Sequence, residues 1–101
     1  MRRLLPLLLV LPAPALAAPD VPPPAQLGLC ASCHREDGRA GEPGVPRIAG
    51  QDETYLRDAL NAYRRGQRDH SAMRAIAGAL SDRDVEDFAR WYSTRPACPP
   101  P

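Results

Sequence analysis

Two cysteines three positions apart, followed at once by a histidine, constrain this chain more than any other feature: Cys30-Ala31-Ser32-Cys33-His34. On a turn of helix, residues three and four apart lie on one side, so both thiols and the imidazole can be offered together to a single partner. The chain around them is short. Residues 1–17 read as an export signal, with Arg2 and Arg3 as its positive start, an apolar run from Leu4 to Leu11 broken only by Pro6, and Ala15-Leu16-Ala17 as the cleavage site. That run is shorter than the roughly 20 residues needed to span a bilayer, so stable membrane insertion after cleavage is not expected. The flanks of a twin-arginine signal are missing, which points to general secretion of an unfolded chain. Without residues 1–17, 84 of the 101 residues remain. A domain of that size buries little core and commonly needs a staple.

The C-x-x-C-H spacing is the covalent haem attachment signature. Each thiol adds to one vinyl group of the porphyrin as a thioether, and the adjacent residue sets an imidazole under the iron. Cys30 and Cys33 are therefore the expected anchors and His34 the proximal ligand. Three other uses of a cysteine pair fit less well. A thioredoxin-like dithiol belongs in a βαβ context. A structural zinc site needs four ligands, and only His70 and Cys98 remain. A plain disulfide gives no reason for His34. Haem also supplies the missing core, as an apolar disc around which a few helices pack. Without it the 84-residue chain is expected to be largely unfolded.

No segment alternates with period two for long enough to form a strand. Residues 18–24 carry four prolines in seven positions and read as a linker. Pro24 can open a short helix running through Ala25, Leu27 and Leu29 to Cys33. Arg35 to Arg47, with three glycines and two prolines, reads as loop. Asp52 can cap a helix whose apolar positions are Tyr55, Leu56, Ala59, Leu60 and Tyr63, with Gly66 ending it. Ala72 to Leu80 offers one or two loose turns around Ile76. Ser81 and Asp84 have capping-box spacing, Leu80 and Val85 can form a hydrophobic staple, and Val85, Phe88, Ala89 and Tyr92 make one stripe before Pro96 stops the helix. The expected fold is all-α: three main helices and a short one around one covalent haem. Residues 25–95 form the domain and 96–101 a proline-rich tail.

A second axial ligand is needed. Met73 is the one methionine left after signal removal, in a stretch able to cross the far face of the haem. His70, three residues earlier, is the competing candidate, and a methionine can also simply fill a core. Met73 is the expected ligand, because Met/His ligation is the electron-transfer arrangement and raises the potential. With both axial positions filled, substrates and dioxygen find no open site on the iron. An electron carrier is expected, not an enzyme.

These residues resemble the small bacterial class I cytochromes c, over the span from Leu29 to Tyr92. Besides CASCH, Pro46-Arg47-Ile48-Ala49-Gly50-Gln51 with Tyr55-Leu56 resembles the family's segment leading into its middle helix. Arg64-Arg65-Gly66 with Met73 resembles the approach to the methionine ligand, and Leu80-Ser81-Asp82 the start of the C-terminal helix. The resemblance implies that the carbonyl of a loop proline, Pro46 or else Pro43, accepts a hydrogen bond from His34, which would fix the imidazole's orientation. Three departures stand out. Arg35 follows His34 where many relatives have glycine. The prolines at 22–24 cut short the first helix, so its contact with the last helix must be small, through Leu27 or Leu29 against Phe88, Trp91 or Tyr92. Cys98 adds a third cysteine in the tail, as a free thiol, an intermolecular link or a residue without a role.

The charge balance excludes one class of partner. Without Arg2 and Arg3 the chain has 11 basic and 12 acidic residues, too nearly neutral for a nucleic-acid binder. The expected partners are redox proteins in the periplasm, met by a free carrier shuttling single electrons. The alternative is a haem subunit bound permanently to a dehydrogenase, with the proline-rich ends as docking arms. Arg64, Arg65, Arg68 and Arg74 flank Met73 and are either a steering surface or a solvated helix end.

Overall fold

A computed structural model describes residues 9–14 and 20–98 of the chain. Most of the expected export signal lies outside these residues. Among them are four helices and no strand: α1 (Leu27–His34), α2 (Glu53–Arg64), α3 (Ser71–Gly78) and α4 (Asp82–Ser93). The all-α expectation and its order of elements match.

Each helix begins where local chemistry allows. The Asp52 carboxylate accepts from the Tyr55 N–H at 2.8 Å and opens α2. At α4 the capping box is complete: Ser81 Oγ accepts from the Asp84 N–H at 3.1 Å and Asp84 Oδ2 accepts from the Ser81 N–H at 2.9 Å. The backbone N–H of Ser81, and after it the Ser81 hydroxyl, hold the Asp84 carboxylate below its ordinary range. Helix α3 is more regular than the loose turns expected from the sequence. Its N-cap is His70, whose Nδ1 accepts from the Met73 N–H at 3.3 Å. Helix α1 has no side-chain cap and starts after a turn in which the Leu27 N–H bonds the Pro24 carbonyl at 3.1 Å.

The core is the α4 stripe and what lies against it. Val85, Phe88, Ala89, Trp91 and Tyr92 are buried, together with Leu56 of α2, Leu80 and Cys30. Burying a side chain such as Phe88 or Val85 contributes about 1.5–3 kcal/mol, so a few residues carry most of the apolar stabilisation. Arg57 ties α2 to α4 through Glu86 at 2.6 Å, and Arg64 does the same through Asp82 at 2.8 Å. Helix α1 contributes less, as its shortness implies. Leu27 packs on the core, whereas Leu29 is 40% exposed and does not. The proline run 20–24 does not stand clear of the domain: Pro24 is buried and Val21 packs on the core.

Candidate functional site

On α1, Leu27, Cys30 and His34 fall at helical spacing on the face turned to the core, with Cys30 and His34 buried and Cys33 exposed. Burial pushes the free Cys30 thiol up to about 12, which disfavours its thiolate for as long as the thiol is unmodified. His34 is the buried polar residue of this core, and a single contact orients it. Its Nδ1 lies 2.9 Å from the Pro46 carbonyl oxygen. A carbonyl can only accept, so this bond requires a proton on Nδ1 and leaves the Nε2 lone pair directed elsewhere.

Two adjoining clefts, of about 770 Å³ and about 1300 Å³ including solvent-open space, share Cys30, His34, Pro46, Tyr63 and Met73. Cys33 and His70 line the second. The residues singled out from the sequence are thus brought to one place, from three elements: α1, the loop before α2, and α3. The apolar stripe of α2 divides its duties here. Leu56 is buried in the core and also lines the cleft with Tyr55, Ala59, Leu60 and Tyr63, of which Leu60 packs on the core as well. A largely apolar cleft with two thiols, an oriented imidazole and a thioether suits a flat, apolar, iron-bearing group, so the residues present fit a haem. Pro43, the alternative partner for His34, makes no such bond; Pro46 does.

Some roles at the site escaped the sequence reading. His70 is exposed and caps the helix that carries Met73; histidine is outside the usual N-cap set, so no signal marked that role. Arg47 and Arg68 line the cleft, and the Arg68 guanidinium sits 4.7 Å over the Tyr63 ring. The loop from Arg35 to Gln51 is pinned to the end of α4 by two consecutive aromatic residues. Trp91 Nε1 donates to the Glu36 carbonyl and the Tyr92 hydroxyl to the Arg35 carbonyl, both at 3.1 Å. Gly38 makes this approach possible. A Cβ there would lie 2.7 Å from the Tyr92 ring and 2.9 Å from the Ala49 nitrogen, and its φ is +72°.

Comparison with known proteins places these residues in context. A family described as Cytochrome c matches residues 28–94. Cytochrome c-554(548) of Halomonas halodenitrificans is 40% identical over 73 residues, covering 69% of this chain and 88% of the relative. Cytochrome c4 of Pseudomonas aeruginosa is 34% identical over 71 residues, which is 70% of this chain and 35% of that protein. A thiosulfate dehydrogenase electron acceptor of Stutzerimonas stutzeri is 39% identical over 69 residues, 67% of this chain and 32% of the acceptor. The chain therefore spans about a third of these two longer relatives. Among solved structures, reduced recombinant cytochrome c4 from Pseudomonas stutzeri matches with a TM-score of 0.61 and 28% identity, covering 65% of this chain and 37% of that one.

Proposed function

We infer, from the premise that this chain belongs to the cytochrome c family, that it carries one covalent haem c between His34 and Met73 and passes single electrons between redox proteins of the periplasm. The observation that carries this reading is the meeting of Cys30, Cys33, His34 and Met73 in one cleft, with His34 Nδ1 committed to Pro46. When bound, haem supplies a one-electron iron couple in an apolar shell.

The chain's own residues have distinct parts in this reading. Cys30 and Cys33 anchor the group as thioethers. His34 presents Nε2 to the iron, and Pro46 holds its tautomer and direction. Met73 offers its sulfur from the first turn of α3, while the Nδ1 of His70 is engaged in capping that turn. Arg47 and Arg68, at the cleft, offer guanidinium donors to the carboxylates that a haem bears. His34 and Met73 together would leave a bound haem no open position for a substrate, which is the basis for reading the protein as a carrier and not an enzyme. No helix among the described residues is long and apolar enough to cross a membrane, which agrees with release into the periplasm once residues 1–17 are removed.

An optical spectrum of the exported protein tests this. A reduced c-type α band, with a weak far-red methionine-to-iron band in the oxidised form, is expected. An oxidised spectrum without the far-red band removes Met73 as ligand. The second reading, a haem subunit fixed to a dehydrogenase, draws support from relatives named as thiosulfate dehydrogenase electron acceptors. Size exclusion of the native protein separates the two: a free carrier elutes as a small species.

A further inference from the structure

The residue after His34 is strained, and among the bonds that hold it one comes from a distant side-chain hydroxyl. Arg35 has φ 68° and ψ 161°, a backbone region that is essentially glycine-only and costs a side-chain-bearing residue about 1–3 kcal/mol. Such a conformation persists only where its surroundings over-determine it. Here the Arg35 N–H bonds the Ala31 carbonyl at 2.9 Å, which closes α1. The Arg35 carbonyl accepts twice, from the Gly38 N–H and from the Tyr92 hydroxyl, each at 3.1 Å. Tyr92 is 2% exposed and anchored in α4, so its hydroxyl is a fixed post. Burial pushes its phenol up, so it remains a donor at every ordinary pH.

The strained residue is covalently joined to His34, and the loop it opens returns to the same imidazole at Pro46. Loop entry and loop exit therefore both act on one side chain. The entry is fixed by Tyr92 and Trp91, and the exit by the Gly38 carbonyl, which accepts from the Ile48 and Ala49 N–H groups at 2.8 and 3.1 Å. We propose that Tyr92 is a positioning residue for His34: its hydroxyl holds Arg35 in a conformation that arginine resists, and so sets the angle at which α1 and Pro46 present the imidazole. This deepens the haem reading above and rests on it. The strain makes the hydroxyl necessary, since a glycine at 35 would adopt the same backbone without help.

The test is a double-mutant cycle on the haem-loaded protein: wild type, Y92F, R35G and R35G/Y92F. Three readouts apply: denaturant stability, midpoint potential, and the paramagnetically shifted NMR signals of the His34 ring in the oxidised form. Loss of one buried hydrogen bond lowers the folding equilibrium constant about 2- to 10-fold in Y92F. The potential and the His34 signals shift with it. In the R35G background the same change has less than half of each effect, because no strain remains to be held. Should Y92F fail to load haem while R35G/Y92F loads it, that rescue also supports the coupling. The proposal is overturned if Y92F leaves the His34 signals and the potential in place, if its effects are equal in both backgrounds, or if neither variant loads. A wild-type chain without haem absorbance removes the underlying reading as well, and is told apart by that absence.

Discussion

Met73 and Tyr92 both line the cleft, and each answers to a single substitution or titration. Replacing Met73 with Ala removes the sulfur without disturbing the buried core, since its helix contributes only Ala77 as a buried residue. The reduced M73A protein is expected to bind carbon monoxide, to lose the far-red band and to show a lower potential, because methionine ligation raises it. Carbon monoxide difference spectra check this, and unchanged spectra assign the ligand elsewhere. Tyr92 titrates at the other extreme. Desolvation is the main cause that raises its phenol above the ordinary value of about 10. The folded state keeps that proton where the unfolded chain loses it, so this contribution is complete below about pH 10 and is lost as pH rises further. Denaturant midpoints measured between neutral and strongly alkaline pH are expected to fall above about pH 10, and to fall less in Y92F. An equal decline in both proteins would show that the phenol is not what titrates.

Among the helices, α4 rests most directly on its own sequence. Ser81→Ala removes the oxygen that accepts from the Asp84 N–H, and a loss of about 1 kcal/mol in denaturant stability is expected. The partner carboxylate adds an acid dependence of definite sign. Asp84 is held below its unfolded value, so its contribution is present above about pH 4 and disappears as the pH falls through the folded value. Ser81→Ala keeps the backbone N–H that lowers the carboxylate most, so Asp84→Asn is the variant that should flatten that acid limb, and an unchanged limb would locate it in other carboxylates. Helices α2 and α4 were legible because local signals and tertiary need agree: Asp52 and Ser81 cap them, and a 3.6-period stripe runs between. Helix α3 was read only as loose turns, since its cap is a histidine and its buried face is a single alanine. The chemistry-bearing residues were legible because C-x-x-C-H is a local pattern. The aromatic clamp on Arg35 and Glu36 was not, because it joins residues 57 and 55 positions apart, and nothing in a linear pattern reports a hydroxyl or indole meeting a backbone carbonyl at that separation.

At the scale of the molecule, charge and cofactor decide behaviour. Of the four arginines flanking Met73, Arg64 is paired with Asp82 at 2.8 Å and Arg74 with Asp69 at 3.8 Å, while Arg68 lies over Tyr63. The surface is therefore less positive than the sequence alone suggested. Electrostatic steering raises association rates by about 10- to 1000-fold at low salt. Electron-transfer rates of this protein with a redox partner are expected to vary with ionic strength by less than the lower figure, and a steep decline would restore the steering role. On the proposed reading a haem would fill the cleft that the apolar side of α2 from Tyr55 to Tyr63 lines, and would supply core that so short a domain otherwise lacks. Mass spectrometry of the exported, denatured polypeptide tests that most directly. The mass of residues 18–101 plus one haem, retained through denaturation, is the predicted result. A polypeptide mass with no added porphyrin would contradict it.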